Sequence, residues 1–146
     1  MHVAAVLKRK GADVVTVRPG DSIGDVARTL TRHRIGAVVV MEENGSALPC
    51  GIVSERDIVR AIAADGAAAL DRPASDLMTR QLVTATPADT VAHVMSVMTE
   101  RRIRHVPIIE DERMVGVISI GDVVKTRLDE TEMEVESLRD FVAGIG

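Results

Sequence analysis

"GIVSERDIVR" occupies residues 51–60 and "GVISIGDVVK" occupies residues 116–125. Both spell Gly-apolar-apolar-Ser-x-x-Asp-apolar-Val-basic. Outward from this pair, the likeness extends upstream. "VTVRPGDSIGDVARTLTRHRIGAVVV" (15–40) lies on "VTATPADTVAHVMSVMTERRIRHVPI" (83–108), an offset of 68 from Val15 to Val83. Val15, Thr16, Pro19 and Asp21 meet Val83, Thr84, Pro87 and Asp89. Val26, Thr31, Arg34, Ile35 and Val38 meet Val94, Thr99, Arg102, Ile103 and Val106. The offset falls to 65 at Gly51 and Gly116, because "EENGSALPC" is longer than "EDERMV" by three residues. Length variation of this kind belongs in a surface hairpin loop. The chain is therefore a duplicated unit, and the duplication sets the fold.

Each copy reads as β-α-β-β-α. A short strand, Val14–Val17 or Leu82–Ala85, stops at Pro19 or Pro87. Asp21-Ser22 or Asp89-Thr90 then offers a helix N-cap. Ile23, Val26, Ala27 and Leu30 recur at helical spacing, as do Val91, Val94, Met95 and Met98, and each set makes one buried stripe. "IGAVVVM" or "RHVPII" is a second strand, and "GIVS" or "GVIS" a third. The strands are Val/Ile-rich without alternation, as strands covered by helices are. A second helix begins at the Ser. The fold class is α/β (α+β): two tandem repeats, spanning 8–70 and 76–130, packed as one module with a C-terminal helical extension over 131–146. The intervening "DGAAALDRPASDLMT" (65–79) is punctuated by Gly66 and Pro73, with Ser75 as a cap of a short turn. In the C-terminal stretch 123–144, Val124, Leu128, Thr131, Val135, Leu138 and Val142 fall at a/d spacing. That is a seam for a partner helix or a face packed on its own domain.

Totals narrow the function. The 146 residues carry a net charge of -4, with no Trp, no Tyr and one Phe. Neither a basic footprint for DNA nor aromatic platforms for single strands exist, so nucleic acid is not an expected partner. No stretch approaches the run of about 18 apolar residues that spans a bilayer, and "MHVAAVLKRKGADVV" is not patterned as a signal peptide. One cysteine, Cys50, fits a reducing, cytoplasmic setting. His2, His33, His93 and His105 show no metal-ligand spacing, and neither glycine-rich phosphate motif, Gly-x-x-x-x-Gly-Lys-Ser/Thr nor Gly-x-Gly-x-x-Gly, is present.

The Ser-x-x-Asp pair carries two readings. Ser54 with Asp57, and Ser119 with Asp122, have capping-box spacing, and a carboxylate in a first helical turn suits the macrodipole. The same geometry serves a ligand. Free N–H groups at a helix start seat phosphate, and a carboxylate there accepts bonds from two vicinal ribose hydroxyls. Phosphate plus ribose describes a nucleotide, whose base would lie between aliphatic side chains.

With "VTV.P" and "VTATP" opening the repeats, "GIVSERD" and "GVISIGD" closing them, and "RIRHVPII" between, the sequence resembles a tandem pair of cystathionine-β-synthase (CBS) domains, a Bateman module. The resemblance covers about Val14 to Leu128. It implies a regulatory, non-enzymatic fold that binds an adenine nucleotide between the repeats: AMP or NAD(H), with ATP, ADP and S-adenosylmethionine possible. A homodimer is expected, with its output passed to a regulated protein in trans. Residue by residue, the resemblance implies ribose at Asp57 and Asp122, phosphate at Ser54 and Ser119, and proximity of Thr16 and Thr84. It implies main chain around Ile35, Gly36 and Ala37, and around Ile103, Arg104 and His105, flanking the base, with Arg104 and His105 meeting phosphate. Gly36 and Ala37 stand where the second repeat has Arg104 and His105, and Arg56 stands where it has Gly121, so two unequal half-sites are expected. Successive strand residues face opposite ways, which sets Arg104 and His105 apart unless the strand is bulged. Two other readings stay open: an interaction module whose clefts are empty and whose motifs only cap helices, and a small enzyme using Asp57 or His105.

Overall fold

The computed structural model of the chain describes residues 1–11 and 13–145; Gly146, the end of the expected extension, lies outside the described residues. The elements run α1 (Val3–Lys10), β1 (Thr16–Val17), α2 (Ile23–His33), β2 (Ala37–Met41), β3 (Pro49–Ser54), α3 (Glu55–Asp65), a 3-10 turn (Gly66–Asp71), α4 (Ala74–Leu77), α5 (Val91–Arg101), β4 (His105–Glu110), β5 (Arg113–Ser119) and α6 (Ile120–Ile145). The mixed α+β architecture of two repeats with a C-terminal helix is the one read from the sequence.

Each unit is a small sheet covered by helices. β1 pairs parallel with β2, and β2 antiparallel with β3; β4 pairs antiparallel with β5. The helix stripes are inward. Ile23, Val26 and Leu30 are buried in the first unit, Val91, Val94 and Met98 in the second, with Ala27 and Met95 partly buried beside them. Ser22 and Thr90 cap α2 and α5 by accepting from the N–H of Asp25 and His93.

The opening strands are shorter than expected. β1 keeps two residues, and in the second unit only an Ala85–Ile108 bridge remains. Val14, Val15, Leu82 and Val83 are irregular backbone that lines a cleft instead. A strand paired on one side only, and ended by Pro, has few ladder bonds to hold it.

The leading helices cross over. α1 precedes the first unit in sequence, yet Val3 and Val6 are buried in the second unit's core with Val91, Val94, Val106 and Ile118. α4 precedes the second unit, yet Ala74 and Met78 are buried in the first unit's core. The backbone bonds repeat pairwise. Val3 N–H donates to Asp89 and Ala4 N–H to Pro87, as Ala74 N–H donates to Asp21 and Ser75 N–H to Pro19. Residues 65–79 are thus part of the first unit rather than a spacer. Pro73, not Ser75, stands at the N-cap of α4. The boundaries at 8 and 76 fall inside α1 and α4.

This docking explains the glycine of both motifs. A Cβ on Gly51 would stand 2.6 Å from Met78 Sδ and 2.9 Å from its Cβ; one on Gly116 would stand 2.5 Å from Leu7 Cδ2. A side chain at either position would force Met78 or Leu7 to shift.

α6 runs 26 residues without a break at 130, about 39 Å at the standard rise. Val123 and Thr126 are buried, but every residue from Thr131 to Gly144 is exposed. Among the described residues, no helix is long and apolar enough to cross a membrane.

Candidate functional site

β3 ends at Ser54 and β5 at Ser119, so each strand delivers its chain directly into a helix start. The two starts face one cleft of about 970 Å³ between the units. Both capping boxes are formed. Ser54 N–H and Oγ donate to Asp57 Oδ2 at 2.8 and 3.0 Å, and Asp57 N–H donates back to Ser54 Oγ at 3.2 Å. Ser119 and Asp122 repeat these distances. Glu55 N–H donates to the Gly36 carbonyl and Ile120 N–H to the Arg104 carbonyl. The N–H groups of Arg56 and Gly121 make no hydrogen bond among the described residues. Each helix start therefore offers one free donor and one carboxylate with an unused Oδ1. Each Ser hydroxyl has spent its one proton on its own Asp, so the free N–H is the donor left for a phosphate.

Of the residues singled out from sequence, the cleft brings together Ile35, Gly36, Ala37, Ser54, Arg56, Asp57, Ile103, Arg104, His105, Ser119 and Asp122. Thr16 and Thr84 are exposed and outside its lining. Arg104 and His105 both line the cleft because Arg104 lies on the bend before β4 rather than in the strand, so alternation does not separate them. That bend follows Arg102, which like Arg34 ends its helix in the left-handed region (φ 55° and 54°) and lines the cleft. The apolar part of the wall includes Val14, Val15, Ile52, Val59, Leu82 and Val83; among the described residues no Phe, Tyr or Trp takes part.

Sequence reasoning missed Lys10. From the last turn of α1 its Nζ donates to Asp122 Oδ2 and to the Val117 carbonyl, both at 2.7 Å. Burial pushes the Asp122 carboxyl up, but the Lys10 bond and charge and the two Ser119 donors outweigh it and hold the group below the ordinary carboxylate range. Burial lowers His105, and the Lys10 charge adds to this, against the opposing pull of Asp122 and Glu55. Its ring reaches across to the first unit, where a Cβ on Gly36 would stand 3.6 Å from His105 Cε1. No local pattern marks Lys10, because it reaches Asp122 across 112 residues of sequence.

Cys50 donates to the Val40 carbonyl, and burial raises its thiol pKa. A smaller depression of about 380 Å³ is lined by loop residues, among them Arg18, Asp21 and Glu43, which are tied in ion pairs.

Two β-α-β-β-α units that share one cleft and trade leading helices define a tandem-repeat module. A family model for the CBS domain matches residues 3–64 and 74–129, and the chain belongs to the CBS-domain family. It is similar to a crystal structure of a CBS-domain-containing protein from Agrobacterium tumefaciens, at 49% identity and TM-score 0.83, covering 86% of this chain and 92% of that one. It is 34% identical to a mitochondrial CBS-domain-containing protein of Arabidopsis thaliana, covering 97% of this chain and 72% of that protein. A CBS-domain protein from Pyrobaculum aerophilum, solved in complex with AMP, is 30% identical with TM-score 0.74, covering 84% of this chain and 89% of that one.

Proposed function

We propose that the protein is a non-enzymatic sensor that binds an adenine nucleotide in the cleft between its CBS domains. One observation carries this: a single cleft of about 970 Å³ faced by two helix starts, each with a free N–H beside a capped aspartate. The AMP complex of the Pyrobaculum aerophilum relative supports it. A helix-start aspartate accepts the ribose diol, and the free N–H of the same turn takes a phosphate oxygen. The base lies between aliphatic walls and the main chain at Ile35–Ala37 or Ile103–His105. Arg104, with His105 beside it, meets phosphate, Arg104 keeping its charge at every working pH. AMP fits one half of the cleft; a dinucleotide such as NAD would extend across both. The output passes to a protein in trans in a cytoplasmic setting, from a homodimer held through the exposed face of α6.

The completed capping boxes favour a second reading, an interaction module with an empty cleft. Thermal unfolding against AMP, ADP, ATP, NAD, NADH and S-adenosylmethionine separates the two. Ligand at 100 times its dissociation constant adds about 2.7 kcal/mol, a rise of roughly 5–10 °C for a domain of this size. A rise with one or two of these compounds, lost in Asp57→Asn/Asp122→Asn, supports the sensor. No rise from ligand-free protein leaves the two serines as caps only.

A further inference from the structure

The two halves of the cleft differ in the segment that runs along the strand edge. In the first unit α4 stops after four residues, Met78 turns extended, and the chain pairs backbone to backbone with β3. Ile52 N–H donates to Thr79 O at 3.1 Å, and Thr79 N–H donates to Ile52 O at 2.8 Å. The strand edge is closed without any charge, and Asp57 Oδ2 accepts only from Ser54. In the second unit α1 continues for eight residues and ends at Lys10. The carbonyl matching Ile52 is Val117, by the offset of 65 (52 to 117), and Lys10 Nζ takes it. The same ammonium then makes a third bond to Asp122 Oδ2, beside those from Ser119 N–H and Oγ. Among the described residues, Asp57 has no ion-pair partner and Asp122 has one.

A ribose diol and an ammonium compete for the same carboxylate. At Asp57 the diol meets an unpaired anion. At Asp122 it competes with a cation held on Oδ2 and on the Val117 carbonyl, and only Oδ1 stays unclaimed. We propose that Lys10 shuts the Asp122 half of the cleft, so that each chain takes one adenine nucleotide, at Asp57. Lys10 is then the residue that sets stoichiometry. This rests on the nucleotide-sensor reading and adds to it which half is used and why.

The test is titration calorimetry of the full chain with AMP and, in parallel, NAD. The wild-type chain is expected to bind one AMP, with binding lost in Asp57→Asn. Lys10→Gln should bind two, and Asp57→Asn/Lys10→Gln should regain one through the opened half. Two AMP sites in the wild-type chain overturn the proposal. So does a Lys10→Gln chain that stays at one site, and so does one whose single site weakens tenfold or more, which would make Lys10 a ligand contact instead. No binding of either compound by wild type and Lys10→Gln defeats the sensor reading itself, and this inference with it. A ligand-free arm checks the ion pair alone. The Asp122 carboxyl, facing Lys10 and His105, is followed by carbon NMR against pH. It should titrate below the ordinary range in wild type and move up in Lys10→Gln; an ordinary midpoint in wild type overturns the closed half-site whatever binds.

Discussion

His105 and Asp122 sit within one electrostatic neighbourhood, and both respond to acid in the same direction. His105 titrates below its ordinary 6.5 in the folded chain, so between those values the unfolded chain holds more protons. Its contribution to stability is complete above about pH 6.5 and is lost as pH falls through that value toward the folded midpoint. Asp122, held below its ordinary 3.8, contributes above that value, and its share is lost as pH falls further. The melting temperature should therefore fall from pH 7 to pH 5, and the fall should be smaller in His105→Gln. An identical fall in both chains would place the pH response elsewhere. At Gly51 the constraint is steric. Gly51→Ala should destabilise by about 1–3 kcal/mol, the usual cost of overpacking, because the Met78 Cβ cannot swing away as a chain end can. Gly116→Ala should cost less, since the close atom there is a terminal methyl of Leu7. Chemical denaturation of the two variants ranks them.

Among the elements, α1 is short and carries no side-chain cap, so its helix is held by packing rather than by its own ends. Val3 and Val6 supply that packing. Val6→Ala should cost about 2 kcal/mol, the scale of one fully buried Val side chain, seen as a melting-point drop of about 4–8 °C. An effect below 1 °C would mean that α1 is not integral to the second unit. Here the limits of sequence reading show. The repeat, the helix stripes and both Ser-x-x-Asp starts were visible because each is a local pattern: a spacing of three or four, or a cap beside a strand. The two opening strands, the partner of each leading helix and the Lys10 bond were not. Whether Val14–Val15 pair or peel away depends on a neighbour strand, and which core receives Val3 depends on the path of the whole chain. Gly51 and Gly116 stand out only as motif letters in the sequence, although their reason is the packing of Met78 and Leu7. The placement of Arg104 turns on Arg102 adopting a left-handed backbone, which glycine usually marks and arginine does not.

At the scale of the molecule, α6 presents Val124, Leu128, Val135, Leu138 and Val142 along one face, each about two-fifths or more exposed, with Phe141 at its edge. A proposed homodimer through this face predicts that Leu138→Glu/Phe141→Glu lowers the mass measured by light scattering to that of one chain, with the cleft and its ligand response intact. An unchanged mass would move the dimer contact off α6.

The crossed leading helices have a consequence for how the chain comes apart. Cut after Gly66, the two fragments would each carry a hook shaped for the other. The first would keep α1 with no second core to receive it, and the second would keep α4 with no first core. Neither fragment should fold alone, yet the two mixed should knit back into a working whole without a peptide bond between them. A duplicated half supplied twice could close only by trading hooks with its twin. The halves of this cleft are thus clasped rather than hinged, and the uncut chain should melt in a single step.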